Sequence, residues 1–126
     1  MPELKPDTIV KLLRTYGLDR EEARIYLYMI ENGASTALNM SKELHIGRTK
    51  VYRILDKLNS KQLVQYQLND RGLKFGASHP HKLEQLITEK INQAQNLKQE
   101  LPDLLTHLNN LTQNAGSKSK EGQQHD

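Results

Sequence analysis

Fifteen residues near the middle of the chain, Gly47 to Lys61 (GRTKVYRILDKLNSK), constrain the fold more than any other stretch. At 100° per residue, Val51, Ile54, Leu55 and Leu58 fall on one stripe, the i, i+3, i+4, i+7 spacing of a helix with one dry face. Thr49, Arg53, Asp56 and Ser60 fall on the opposite stripe, flanked by Tyr52 on one side and by Lys50 and Lys57 on the other. Residues 42–61 hold six Lys/Arg against two Asp/Glu, a surplus of four, while the whole chain carries only +3. A helix whose wet face holds more than the entire net charge needs an anionic partner. The major groove of double-stranded DNA is the best fit.

A chain of 126 residues makes one small domain with at most an appendage. With 36% apolar residues it can bury one modest core, so a long extension needs a partner for stability. There is no cysteine, which excludes disulfides and Cys-based zinc or redox chemistry. The N-terminus, MPELKPD, lacks the apolar region of a secretory leader. The longest apolar run, Ile25 to Ile30, is far too short to cross a bilayer. A cytoplasmic protein without a membrane partner is expected.

Taken in order, the first six residues hold two prolines and form a loose lead-in. Asp7 can cap a first helix with the stripe Ile9, Leu12, Leu13, Tyr16, and Gly17 supplies its left-handed stop. Asp19 and Glu22 have the spacing of a capping box that opens a second helix, with Ala23, Tyr26, Leu27 and Ile30 inward and Gly33 as its end. Ser35 or Thr36 caps a third, with Ala37, Met40, Ser41 and Leu44 inward. A turn at His45-Ile46-Gly47 leads into the fourth. After Lys61 the period drops to two. Val64, Tyr66 and Leu68, then Leu73, Phe75 and Ala77, mark two strands around the turn formers Asn69-Asp70-Arg71-Gly72. The order is that of a winged helix-turn-helix domain over residues 1–80, mainly α with a small β-hairpin.

From Lys82 a different repeat begins. Leu83, Ile87, Lys90, Ala94, Leu97, Leu101, Leu104, Leu108 and Leu111 are spaced alternately by four and three, an a/d seam with one polar interruption at Lys90. Residues 81–114 are therefore read as a coiled-coil dimerisation helix, covered by the same helix of a second chain. The alternative is that it folds back over its own winged domain. Pro102 lacks a backbone N–H and clashes with the preceding turn, so a kink or a split is expected near Leu101. Residues 115–126, AGSKSKEGQQHD, are expected to be disordered.

One run carries a family resemblance. Tyr16-Gly17-Leu18, then Glu22-Ala23-Arg24-Ile25-Tyr26-Leu27, Thr36-Ala37, Arg48-Thr49-Lys50-Val51-Tyr52-Arg53-Ile54-Leu55 and Lys61-Gln62-Leu63-Val64 resemble the opening of TrmB-like transcriptional regulators. The likeness covers about residues 7–80, and Arg-Thr-Lys-Val-Tyr-Arg is its most specific piece. It implies a DNA-binding winged helix, often followed by a coiled-coil dimer element. Two positions depart: His45 stands where relatives often carry glycine, and Gly47 where proline is usual. Family members often carry a C-terminal sugar-binding domain too. The chain is too short to hold one, so no small-molecule effector is expected.

Arg53 is the candidate base reader, able to make bidentate bonds to guanine, and Thr49 a contact to phosphate or a thymine methyl. Arg48, Lys50 and Lys57 are expected on phosphates, setting register. Tyr52 either packs beside the core or gives its hydroxyl to a phosphate. Asp56 limits insertion to the first turns of the helix. Arg71 and Lys74, at the hairpin tip and its descending strand, are further candidate DNA contacts. His79-Pro80-His81, with His107 and His125 distant, reads as a junction rather than a metal site. No phosphate loop, nucleophile elbow or metalloprotease motif occurs. Neither a catalytic residue nor a cofactor is expected. The reading is a homodimeric, sequence-specific transcriptional regulator; the competing one is a winged-helix adaptor that binds proteins.

Overall fold

The computed structural model describes residues 4–119. The elements are α1 (Pro6–Thr15), α2 (Arg20–Asn32), α3 (Ala37–Leu44), α4 (Arg48–Ser60), β1 (Val64–Asn69), β2 (Gly72–Ala77) and α5 (Lys82–Ser119). They fall into two compact units, Met1–Ile87 and Thr88–Asp126, and α5 begins in the first and continues through the second. The first unit is a mainly α winged helix-turn-helix fold with a two-stranded antiparallel hairpin.

Helix α2 sits at the centre of that unit, in contact with α1, α3, α4 and β2. Its start is fixed by the expected capping box. The Glu22 N–H donates to Asp19 Oδ1 and the Asp19 N–H to Glu22 Oε1, both at 2.8 Å. Because neighbours surround it, its buried set is Glu22, Ala23, Ile25, Tyr26 and Met29 rather than one stripe. Ile30, expected inside, is exposed. The Tyr26 hydroxyl is buried without a hydrogen-bond partner among the described residues, and burial pushes its pKa up.

Helix α1 starts at Pro6, and its N-cap is Lys5 with no side-chain cap bond. Asp7 therefore lies inside the first turn, where the helix dipole favours it, instead of capping. Leu13 is buried and Ile9 and Val10 pack on the core, while Leu12 and Tyr16 are exposed. Thr36 caps α3, its Oγ1 accepting the Asn39 N–H at 3.1 Å. The turn into α4 is left-handed at His45 (φ 57°, ψ 46°), a conformation that strains most side chains. Gly47, by contrast, has φ −55° and ψ 142°, which other residues adopt freely. Of the two departures from the family pattern, only His45 carries a conformational cost.

The hairpin pairs Asn69 with Gly72 across the two-residue loop Asp70-Arg71, and Gly72 takes φ 113°, open to glycine. Its dry face is shorter than the alternation suggests. Val64 and Phe75 are buried, but Tyr66, Leu68 and Leu73 are exposed, Leu68 by 79%. Only the base of the hairpin lies against the helices. Ser35 adds a bridge that the sequence reading missed: its N–H donates to Phe75 O at 2.9 Å, and the Phe75 N–H to Ser35 O at 2.8 Å.

His79 and His81 form the junction to α5. His79 Nδ1 accepts the His81 backbone N–H at 3.1 Å, and the Lys82, Leu83 and Glu84 N–H groups bond three residues back. Leu86 is buried and Leu83 packs on the same core, so Leu83, expected on the dimer seam, serves the winged unit instead. Helix α5 is continuous through Pro102 rather than split there. It reaches Ser119, into the stretch expected to lack structure; residues 120–126 of that stretch lie outside the described residues.

The strain at His45 gives a direct test. Relief of the left-handed cost, partly offset by glycine's greater freedom in the unfolded chain, should make His45→Gly about 0.5–1 kcal/mol more stable. A rise in the thermal midpoint measures this; a fall would show that the His45 side chain contributes contacts worth more than the strain.

Candidate nucleic-acid interface

The candidate surface is built on the core beneath it. Val51, Ile54, Leu55 and Leu58 are each 3% exposed or less, which pins the rotation of α4 about its axis. With that rotation Arg48, Thr49, Tyr52, Arg53 and Asp56 lie exposed, and the first two turns present an open surface. Thr49 and Arg53 are not walled in. Tyr52 is 43% exposed, its ring edge-on to Phe75 at 6.1 Å, so it packs at the margin of the core. Phe75 also takes Tyr66 edge-on at 5.3 Å, which ties the base of the hairpin to the flank of α4.

The flanking lysines are placed differently from a row of free cations. Lys50 Nζ pairs with Glu21 at 2.8 Å, Lys57 Nζ with Asp19 at 2.7 Å, and Lys61 Nζ with Glu22 at 2.8 Å. Three lysines of α4 and its C-terminal turn thus face the acidic start of α2. Part of the charge surplus seen in the sequence is balanced inside the chain. Arg48 and Arg53 have no ion pair among the described residues. These are the cations of α4 left for an outside partner.

The pairs differ in burial. Glu22 is only 2% exposed and is held by both the cap bond and Lys61. Asp19 and Lys57 are about half exposed, a setting in which ion pairs contribute little. Burial works against the charge on Asp19, but the Lys57 ammonium and the backbone N–H groups of Glu22 and Glu21 outweigh it. The carboxyl therefore titrates below its ordinary range. Lys57 is raised, first by its hydrogen bond to Asp19 and then by the charge of Glu22.

At the hairpin tip, Arg71 is exposed and its N–H donates to Asn69 Oδ1 at 2.9 Å, an Asx turn that fixes the loop. Lys74 is half-buried one register step below the Leu68–Leu73 pair. Two regions thus carry the candidate contacts, the start of α4 and the tip of the hairpin. In the second unit, Leu97, Leu101, Leu104, Leu108 and Leu111 are all at least 45% exposed. Ile91 and Leu105, outside the a/d set, are exposed too and widen the apolar face. Among the described residues no group of three or more His, Asp or Glu is placed to hold a metal ion. No described helix is long and apolar enough to cross a membrane.

Three packed helices, a left-handed turn into an exposed helix and a following hairpin define the class of winged helix-turn-helix proteins. The family model described as "Sugar-specific transcriptional regulator TrmB" matches residues 13–82. The chain belongs to this family of transcriptional regulators. Among solved structures it is similar to TrmBL2, an archaeal chromatin protein said to show a novel mode of DNA binding. The TM-score is 0.68 and the identity 24%, with 83% of this chain covered. The likeness spans 42% of that protein's length. It is also similar to the transcriptional regulator Tm0710 from Thermotoga maritima, with TM-score 0.53 and 15% identity over 94% of this chain and 90% of that one. A third is MepR, which regulates the Staphylococcus aureus multidrug efflux pump MepA, with TM-score 0.53 and 17% identity over 89% and 88%. At these identities the likenesses establish the fold. No curated protein matches.

Asp19 gives this surface a titratable ion pair. Its depressed pKa means it contributes stability above the ordinary carboxylate range, lost as pH falls through the folded value. Asn also caps helices well, so Asp19→Asn keeps the cap and removes the charge. Thermal melts between pH of about 6 and 3 should show the wild-type midpoint falling more steeply than that of the variant. Parallel curves would reject a net contribution from the Asp19 charge.

Proposed function

We infer that the chain is a sequence-specific DNA-binding regulator that acts as a homodimer, with α4 entering the major groove. The observation that carries this reading is the open, unpaired Arg53 beside Thr49 on the first two turns of α4, on a helix whose rotation the core fixes. A guanidinium there reaches guanine O6 and N7 with two parallel bonds. Arg48 meets a phosphate at the helix start. Lys50 has three donors and can keep Glu21 while it contacts a second phosphate. Lys57, about two and a half turns from the entering end and held by Asp19, contributes less. Arg71 at the loop of the hairpin, and Lys74 below it, meet the flanking backbone. Phosphate neutralisation makes affinity fall steeply with salt.

Arg53→Ala should cost about 1–3 kcal/mol on the preferred duplex and far less on random duplex, measured by competition gel shift after selection from a random library. Lys50→Ala should weaken both about equally. Equal losses for Arg53→Ala would remove it as the base reader. One observation favours a second reading, docking of a protein on the hairpin: Tyr66, Leu68 and Leu73 form an exposed apolar patch. Binding that is indifferent to DNA and to salt would decide for it.

The seam of α5 supports dimerisation. Ile87, Ala94 and the exposed leucines from Leu97 to Leu111 line one face, and a second copy of the helix buries them knob into hole. Two winged units held so would present their α4 helices to successive major grooves, roughly 34 Å apart. Leu104 is 53% exposed in the single chain, so Leu104→Asp should leave the monomer fold intact. Sedimentation equilibrium should then give the dimer mass for wild type and the monomer mass for the variant. A monomeric wild type would end the dimer proposal.

A further inference from the structure

A second feature of the winged unit lies away from the α4 surface. Helices α1 and α2 enclose a cleft of about 440 Å³, inside the size range of small-ligand sites. Its middle is apolar, lined by Val10, Leu27, Tyr28 and Leu44. Its polar lining is unequally distributed. Only the four residues Tyr16–Asp19 connect α1 to α2. Arg14, Arg20 and Arg24 sit at the helix ends next to the turn, Asp7 and Glu31 at the opposite ends of α1 and α2, and Lys11 lies between Asp7 and Arg14. Arg14 and Arg20 have no ion pair among the described residues, although carboxylates lie in the same cleft.

Arg24 links this cleft to the turn before α4. Its Nη2 donates to the Leu44 carbonyl at 3.0 Å, across twenty residues of chain. Leu44 is the last residue of α3, so that carbonyl is one the helix itself leaves without a partner. The next residue is His45, held left-handed. An anion that draws the guanidinium away removes a side-chain hydrogen bond from this carbonyl, beside the strained residue that aims α4.

We propose that the cleft between α1 and α2 binds small monocarboxylates with an apolar body, and that occupancy loosens the α3–α4 turn through the Arg24–Leu44 bond. The three arginines receive the carboxylate, which Arg forks match in geometry. The apolar middle takes the body of the ligand. Asp7 and Glu31 outnumber Lys11 away from the arginines and disfavour a second negative charge there, which selects against dianions such as dicarboxylates and sugar phosphates. The proposal departs from the expectation of no effector, which rested on chain length. Its relay to DNA rests on the DNA-binding reading; binding itself does not.

The test uses the full chain and benzoate as probe, by calorimetry without DNA. Benzoate should bind about tenfold more tightly than neutral benzamide and than dianionic phthalate, and Arg14→Gln/Arg20→Gln should cost about tenfold in benzoate affinity. These arginines are solvent-facing, and an unchanged melt confirms that the variant folds. Amide hydrogen exchange at residues 45–47 should quicken when benzoate is bound. Absent heat, or equal affinity for benzamide, overturns the site. Exchange that is unchanged on saturation overturns the relay. Loss of DNA affinity by the double variant with no ligand present would make these arginines phosphate contacts and would also overturn the site.

Discussion

Burial of Val51, Ile54, Leu55 and Leu58 is the constraint on which the rest of the winged unit depends. A helix rotated by one residue turns 100°, enough to carry Arg53 off the open face and bring its chain neighbour Tyr52 or Ile54 into its place. Four side chains that are almost wholly buried forbid that rotation, because each would lose roughly 1.5–3 kcal/mol of burial. The functional surface is thus specified by residues that never touch a partner. The start of α2 adds a second clamp. Glu22 accepts the Asp19 N–H and also holds Lys61, so one buried carboxylate joins the first turn of α2 to the residue that ends α4.

This arrangement changes the meaning of the charge pattern. A surplus of lysine and arginine over twenty residues is a statement about sequence neighbours, whereas electrostatics depends on neighbours in space. Asp19, Glu21 and Glu22 are 29 to 39 residues away from the lysines they meet. Composition alone therefore overstates the free positive charge of α4. Geometry supports the DNA reading better, since it leaves Arg48 and Arg53 free on the open face. The half-exposed pairs are no obstacle to a polyanion. Exposed pairs hold by about 0–1 kcal/mol, which a phosphate can outbid.

What the sequence made legible follows the number of neighbours each element has. Helix α4 packs on one side only, so its 3.6 period names its buried residues without error. The Asp19–Glu22 box is local and was equally plain. Helix α2 is covered from several sides, so Ile25 and Met29 are buried off the expected stripe and Ile30 is left outside. Alternation along the hairpin gave the strands but not the depth of burial, because burial needs a covering element and only the base of the hairpin, with Val64, Phe75 and Gly76, has one. Ser35, a single bridging residue, leaves no periodic trace at all. At the interface, Thr49 and Arg53 could be placed by periodicity, whereas the engagement of Lys50 and Lys57 required knowing where α2 lies.

Helix α5 extends the same reasoning to a face with no core of its own. Its early residues, Leu83 and Leu86, are used by the winged unit, and the leucines from Leu97 onward are exposed. Proline in a helix interior costs about 3 kcal/mol, and isolated helices are marginal in water even without one. Thirty-eight residues that include Pro102 therefore need a compensating burial if the helix is to persist. In the proposed dimer a second copy would supply it, since five seam leucines at about 45–67% exposure leave most of their transfer free energy unrealised in one chain. The proposed pairing would then do two things through one interface: it stabilises α5, and it makes DNA binding depend on protein concentration, because two α4 helices on one duplex bind as a linked pair. Ile91 and Leu105, which lie outside the strict seam, widen the apolar face beyond what a two-helix contact covers. That width favours a dimer in which α5 meets more than one helix of its partner.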